Sequence, residues 1–112
     1  MKVKITSKGK TGMNKKIKTE AVDHLFEAIL TLKSPEECYA FFEDICTIKE
    51  LQAMAQRFRV AAQLRDSKNY NEIQLSTGAS SATISRVNKC LMYGGGGYAT
   101  ALERMGKERE DG

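Results

Sequence analysis

Residues 70–87 read Tyr-Asn-Glu-Ile-Gln-Leu-Ser-Thr-Gly-Ala-Ser-Ser-Ala-Thr-Ile-Ser-Arg-Val. Two short helical segments meet at Gly78, where the first must end in a left-handed turn that glycine enters without a Cβ clash. Ile73 is placed to pack the first helix, Ala79 the turn, and Ile84 and Val87 the inner face of the second. That spacing is a helix-turn-helix. Between the anchors, the second helix turns Ser80, Ser81, Ala82, Thr83, Ser85 and Arg86 outward. Small hydroxyl and methyl groups at a helix N-terminus let the backbone approach base edges and the thymine methyl in a major groove. Arg86 and Lys89 are long enough to reach phosphates or guanine, and Asn71 and Gln74 complete the candidate DNA-binding set. The same pattern also fits a tight corner in a helical bundle, where small polar residues are merely solvated.

Working outward, the periodicity is helical on both sides. Asp66-Ser67-Lys68-Asn69 breaks the pattern as a loop does. Before it, the capping box Thr47-Ile48-Lys49-Glu50 opens a long helix that runs to about Arg65. Its inward face is expected to hold Leu51, Met54, Ala55, Phe58, Ala61 and Ala62. Ser34-Pro35-Glu36-Glu37 supplies an N-cap, a proline at the first helical position and a capping-box glutamate. The helix so opened carries the stripe Cys38, Phe41, Phe42 and Ile45. Val22, Leu25, Phe26, Ile29 and Leu30 mark a first helix over about 19–32. Downstream, Gly94 to Gly97 form a connector between helices near 80–92 and 98–108, the last expected to bury Tyr98, Ala101, Leu102 and Met105. No segment alternates with period two over a useful length, so the expected class is all-α with six helices.

The chain has 112 residues, one domain's worth. Hydrophobic residues at 41% and charged residues at 29% exclude wholesale disorder. No apolar run approaches the ~18–20 residues that cross a bilayer, so no membrane partner is expected. The first residues lack the apolar stretch of a secretory signal. Lys2, Lys4, Lys8 and Lys10 account for the net charge of +4. Residues 1–12 are therefore read as a tag-like or disordered basic extension, and 13–112 as a single domain. Within that domain, residues 20–50 carry a net charge of −6 and residues 57–93 a net charge of +4. An acidic front and a basic back direct an anionic partner to the second half. Cys38, Cys46 and Cys90 are odd in number, form no C-x-x-C pair and fall in apolar helical patterns. Buried free thiols in a reducing cytoplasm are the expectation.

Other chemistry is thin. His24 is the only histidine, too few for a metal cluster or a triad. The four-glycine run has no following Gly-Lys-Ser or Gly-Lys-Thr and no preceding strand, so it is not a P-loop. Glu36-Glu37 and Glu43-Asp44 read as solvated helix faces. Neither an enzyme, a metal nor a cofactor is expected.

Glu72-Ile73, Thr77-Gly78-Ala79 and Ala82-Thr83-Ile84-Ser85-Arg86 resemble the reading head of the Trp repressor family. That family carries a similar Gly-Ala-x-x-Ala-Thr-Ile run followed by Ser or Thr and then Arg. Upstream, Arg57-Phe58-Arg59-Val60 resembles the family's Arg-Val-Arg-Ile in its long central helix, and Thr47 resembles the threonine that caps it. Phe41-Phe42-Glu43-Asp44-Ile45 and the run from Gly78 to Val87 bring the segment from Met13 to Glu108 nearer to the YerC/YecD group of Trp-repressor-like proteins.

The resemblance implies a six-helix subunit interlocked with a second copy, with two reading heads on one side of the dimer. It also implies a corepressor site at the positions of Thr47, Arg57 and Arg86. Here the chain departs from the family, because the residue after the recognition-helix arginine is Val87 where the repressor has glycine. A stiff β-branched side chain overfills that wall, which disfavours L-tryptophan as effector. The reading is a cytoplasmic, homodimeric, sequence-specific DNA-binding regulator of transcription, of repressor type, acting on double-stranded DNA. Its alternative is a helical protein-interaction module that has lost DNA contact, an idea sustained by the zero net charge beyond residue 12.

Overall fold

Side-chain caps set where the helices begin. The computed structural model describes residues 16–111, with side chains to residue 106. Thr19 accepts the Val22 N–H and opens α1 (Glu20–Ile29). Ser34 accepts the Glu37 N–H ahead of Pro35 and opens α2 (Pro35–Ile45). At the start of α3 (Ile48–Arg65), Thr47 Oγ1 accepts the Glu50 N–H at 3.1 Å while Glu50 Oε1 accepts the Thr47 N–H at 2.8 Å. This reciprocal box satisfies two donors that a bare helix start leaves unpaired. The Thr47 backbone N–H, and then its side chain, hold the Glu50 carboxyl below its ordinary value. The carboxylate therefore stabilises the fold above its unfolded pKa, and that help is lost as pH falls through the lowered value. Asn69 caps α4 (Tyr70–Thr77) and Ser80 caps α5 (Ser81–Tyr93). The last helix, α6, spans Gly97–Asp111. The described residues contain six helices and no strand, as the periodicity predicts. The basic stretch 1–12 lies outside them.

Two boundaries differ from expectation. Leu30 to Leu32 leave the helix through short bonds from Thr31 N to Ala28 O and Leu32 N to Ile29 O. Ser34 must be extended to cap α2, at φ −148° and ψ 159°, so α1 stops early. The glycine connector narrows to 94–96 because Gly97 opens α6. Between α3 and α4, Lys68 N bonds to Gln63 O and Ser67 N to Leu64 O. That is a Schellman closure with Ser67 at φ 62° where glycine is usual.

The chain divides into two compact units, the boundary falling within α3 after Leu51. In the first, α1 and α2 bury no residue at all. Val22, Leu25, Ile29, Phe41 and Phe42 are half-buried, whereas Phe26, Leu30 and Ile45 are exposed. Phe41 and Phe42 meet edge to face at 5.4 Å. The expectation of buried thiols fails. Cys38 shares the uncovered surface of α2 and is exposed, Cys46 is half-buried, and all three cysteines are free. Cys90 is exposed because it sits one position short of the inward Ile84, Val87 and Leu91 stripe of α5.

The second unit holds the core. Val60, Ala61, Ile73, Ala79, Ile84 and Val87 are buried together, and Leu64, Leu91, Tyr98 and Leu102 pack against them. The inward face of α3 is thus rotated from the expected one. Met54 and Ala55 are exposed, Leu51, Phe58 and Ala62 are half-buried, and Val60 takes the central place. The reason is that the α4–α5 pair, not the largest apolar side chains, decides which side of α3 is covered. On α6, Tyr98, Ala101 and Leu102 are half-buried, but Met105 is exposed. Arg65 ties α3 to α6 through Nη1 to the Ala99 carbonyl at 3.0 Å.

Ile84→Ala should cost about 2–5 kcal/mol in urea unfolding, because the removed methyls leave a cavity in a closed core. Leu75→Ala, at a residue 89% exposed on α4, should stay within about 0.5 kcal/mol. Equal losses at the two sites would contradict this core.

Candidate nucleic-acid interface

The sequence builds a helix-turn-helix whose turn is fully bonded. Asn69 Oδ1 accepts the Glu72 N–H at 2.9 Å, and its Nδ2 donates to Glu72 Oε1 at 2.9 Å, which fixes the start of α4. At the other end Gly78 adopts φ 74° and ψ 5°, and its N–H returns to the Gln74 carbonyl. A side chain there would be strained by that backbone alone. Thr77 Oγ1 donates to the Ile73 carbonyl at 2.7 Å and accepts the Ala79 N–H at 3.1 Å. Ala79 is then small enough to be buried under the turn.

Ile84 and Val87 draw the opposite side of α5 into the core, and this dictates what α5 shows to solvent. Ser80, Ser81, Ala82, Ser85, Arg86 and Lys89 are exposed, as is Asn71 on α4, while Gln74 is half-buried. Thr83 departs from the expected outward set. It is half-buried, its N–H donates to Ser80 Oγ at 3.1 Å, and its Oγ1 accepts from Ser80 Oγ at 3.1 Å. One lone pair of Thr83 is therefore engaged, leaving its hydroxyl proton to point at an acceptor. Adenine N7, guanine N7 and O6 and thymine O4 are such acceptors in a major groove. The first turn of α5 contains no acid, so its positive dipole end is not neutralised from within.

The residues set by resemblance as a ligand site are divided. Thr47 belongs to the first unit, with its hydroxyl serving as the α3 cap. In the second unit Arg57 is half-buried on α3, Arg86 is exposed on α5, and Val87 is 1% exposed within the core cluster. Among the described residues, no three His, Cys, Asp or Glu side chains gather as a metal site. No described helix is long and apolar enough to cross a membrane.

Sequence reasoning missed Gln56 and Gln63. Gln56 Nε2 donates to the Thr77 carbonyl at 3.2 Å, and Gln63 Oε1 accepts from Ser76 Oγ at 2.6 Å. The signal was present in their i, i+7 spacing around Val60, but polar side chains do not register in an apolar stripe.

A family model described as Trp repressor protein matches residues 20–106. The uncharacterised protein YerC of Bacillus subtilis (strain 168) is 53% identical over 95 residues, covering 85% of this chain and 90% of that one. The crystal structure of a TrpR-like protein from Eubacterium eligens ATCC 27750 superposes with a TM-score of 0.80 at 55% identity, covering 83% of this chain and 96% of that one. A Staphylococcus aureus structure assigned to the Trp repressors gives a TM-score of 0.78 at 46% identity, with 81% and 91% of the two chains covered. The family match over residues 20–106 and the relative at 53% identity show that the chain belongs to the Trp repressor family.

Proposed function

We propose that the protein is a sequence-specific DNA-binding regulator of transcription, of repressor type, that reads a major groove with the outward face of α5. The observation that carries this reading is the hydroxyl-rich face Ser80, Ser81 and Ser85, with half-buried Thr83 at its edge, presented by a helix whose opposite side is locked into the core. Arg86 and Lys89 lie further along α5 and supply phosphate or guanine contacts. The reading is of a binding protein and not of an enzyme, working in the cytoplasm where double-stranded DNA is available.

A homodimer is part of the proposal. The uncovered apolar side chains of α1 and α2, and a groove of about 450 Å³ between α3 and α6 lined by Phe58, Leu102 and Met105, are surfaces of the kind a second copy would cover. Burial of such surface stabilises by roughly 25 cal/mol per Å². A twofold axis would bring two α5 helices to successive major grooves about 34 Å apart, on a near-palindromic site. A second reading, a protein-docking module, draws on Leu75, whose side chain is 89% exposed on α4. Selection of bound duplexes from a random DNA pool, followed by gel shift against competitor, separates the two. Enrichment of a palindrome supports the DNA reading, and no enrichment supports docking.

Thr83→Ala should relax base preference by up to ~1–3 kcal/mol if its free proton meets a base acceptor. Lys89→Ala should weaken every sequence alike and flatten the salt slope by about 0.9. Identical behaviour of the two variants across a panel of sites would contradict the assigned roles. The melting temperature should rise with protein concentration if folding is linked to dimer formation, and a concentration-independent melt with a monomer sedimentation mass would remove the dimer. L-tryptophan should give no saturable heat in isothermal titration, because Val87 stands where the family's ligand wall is glycine. Micromolar binding that tightens the gel shift would overturn that expectation.

A further inference from the structure

The helix-turn-helix is held to α3 by more than apolar contact. Gln56, Val60 and Gln63 recur at i, i+4 and i+7 and so share one side of α3. Val60 is fully buried between the two amides. Gln56 Nε2 donates to the Thr77 carbonyl at 3.2 Å. That carbonyl is among those the end of a helix leaves without an internal partner, since the chain departs through Gly78. From the adjacent residue of α4, Ser76 Oγ donates to Gln63 Oε1 at 2.6 Å. The two anchor points lie about 10 Å apart along α3 at 1.5 Å per residue. Apolar burial has no preferred direction, whereas two hydrogen bonds bracketing a buried valine define an angle.

We propose that Gln56 and Gln63 are positioning residues for DNA recognition, which set the tilt of the α4–α5 reading head on α3 by two hydrogen bonds of opposite sense. The proposal rests on the DNA reading above. Gln56 must donate, because its partner is a carbonyl, and Gln63 accepts from a hydroxyl. Ionised glutamate keeps the shape and the acceptor of glutamine but cannot donate. Gln56→Glu and Gln63→Glu are therefore matched in size and in added charge, yet opposite in consequence. A filler role for either glutamine would treat both changes alike.

The test uses the full chain as wild type and as the two variants. The specific probe is a duplex selected from a random pool, and the non-specific probe is a scrambled duplex of equal length. The ratio of the two dissociation constants is the readout, since the added negative charge weakens both probes and cancels. Gln56→Glu should lower that ratio by about tenfold or more, and Gln63→Glu should stay within about twofold of wild type. Amide hydrogen exchange at Gly78 and Ala79 should quicken in Gln56→Glu and not in Gln63→Glu. Equal changes in the two variants, in ratio and in exchange, would overturn the proposal. A wild-type protein that selects no sequence overturns the DNA reading and not the anchoring by the two glutamines, which the exchange contrast then upholds or overturns by itself. If Gln56→Glu fails to fold by circular dichroism, Gln56→Leu removes the donor without adding charge and takes its place under the same thresholds.

Discussion

Burial of Ile84 and Val87 beneath Val60, Ala61 and Ile73 is the constraint from which the rest of the second unit follows. A helix has one orientation about its axis once two residues three apart are sealed on the same side. With α5 so fixed, Ser81, Ser85 and Lys89, at i, i+4 and i+8, must face away from that core. The turn is fixed as well, since Ile73 and Ala79 belong to the same cluster and leave only the left-handed Gly78 to reverse the chain. The proposed reading face is therefore a by-product of packing: the residues that cannot be inside are the ones left free to meet solvent or a partner.

Where the sequence was legible, local chemistry and packing agreed. Ser34 and Thr47 each precede a helix and each accept the N–H three residues on, so caps located the starts of two helices. The helix-turn-helix anchors were equally plain, because Ile73, Ala79, Ile84 and Val87 are apolar points in an otherwise polar run. The inward side of α3 was not legible. Its sequence holds Met54, Ala55, Phe58, Ala61 and Ala62 in a helical stripe, and only knowledge of where α4 and α5 pack moves the covered side toward Val60 and Ala61. Cys38 and Cys90 misled for a related reason: an apolar neighbourhood in sequence is no guarantee of a covering surface in space.

The first unit makes the same point in reverse. Its helices are well capped and strongly two-sided, yet Phe26, Leu30 and Ile45 stay exposed and neither helix buries a residue. Capping contributes roughly 0.5–2 kcal/mol per site, enough to define where a helix starts but not to replace a core. For helices this short, stability in water comes mainly from tertiary cover of the apolar side. The proposed second copy would supply that cover, and the proposal of a dimer stems from this deficit more than from the reading head.

The chemistry of the proposed reading face explains why its support would have to be stiff. Serine, threonine and alanine lose little side-chain entropy when they are immobilised, unlike the long basic residues. They also have short reach, so their contacts depend on where the helix itself is placed. A hydroxyl bond made at ~2.7–3.0 Å weakens steeply once distance or angle departs from the ideal. Arg86 and Lys89 can swing to follow a phosphate, whereas Ser81 and Thr83 cannot follow a base. Thr83 is restricted further, because its half-buried hydroxyl already accepts from Ser80. A recognition surface built from such residues gains discrimination only as far as the backbone beneath it is held still. The closed core under α5 and the bonded Thr77–Ala79 turn meet that requirement from within the helix-turn-helix. The two glutamines of α3 extend it to the orientation of the whole head.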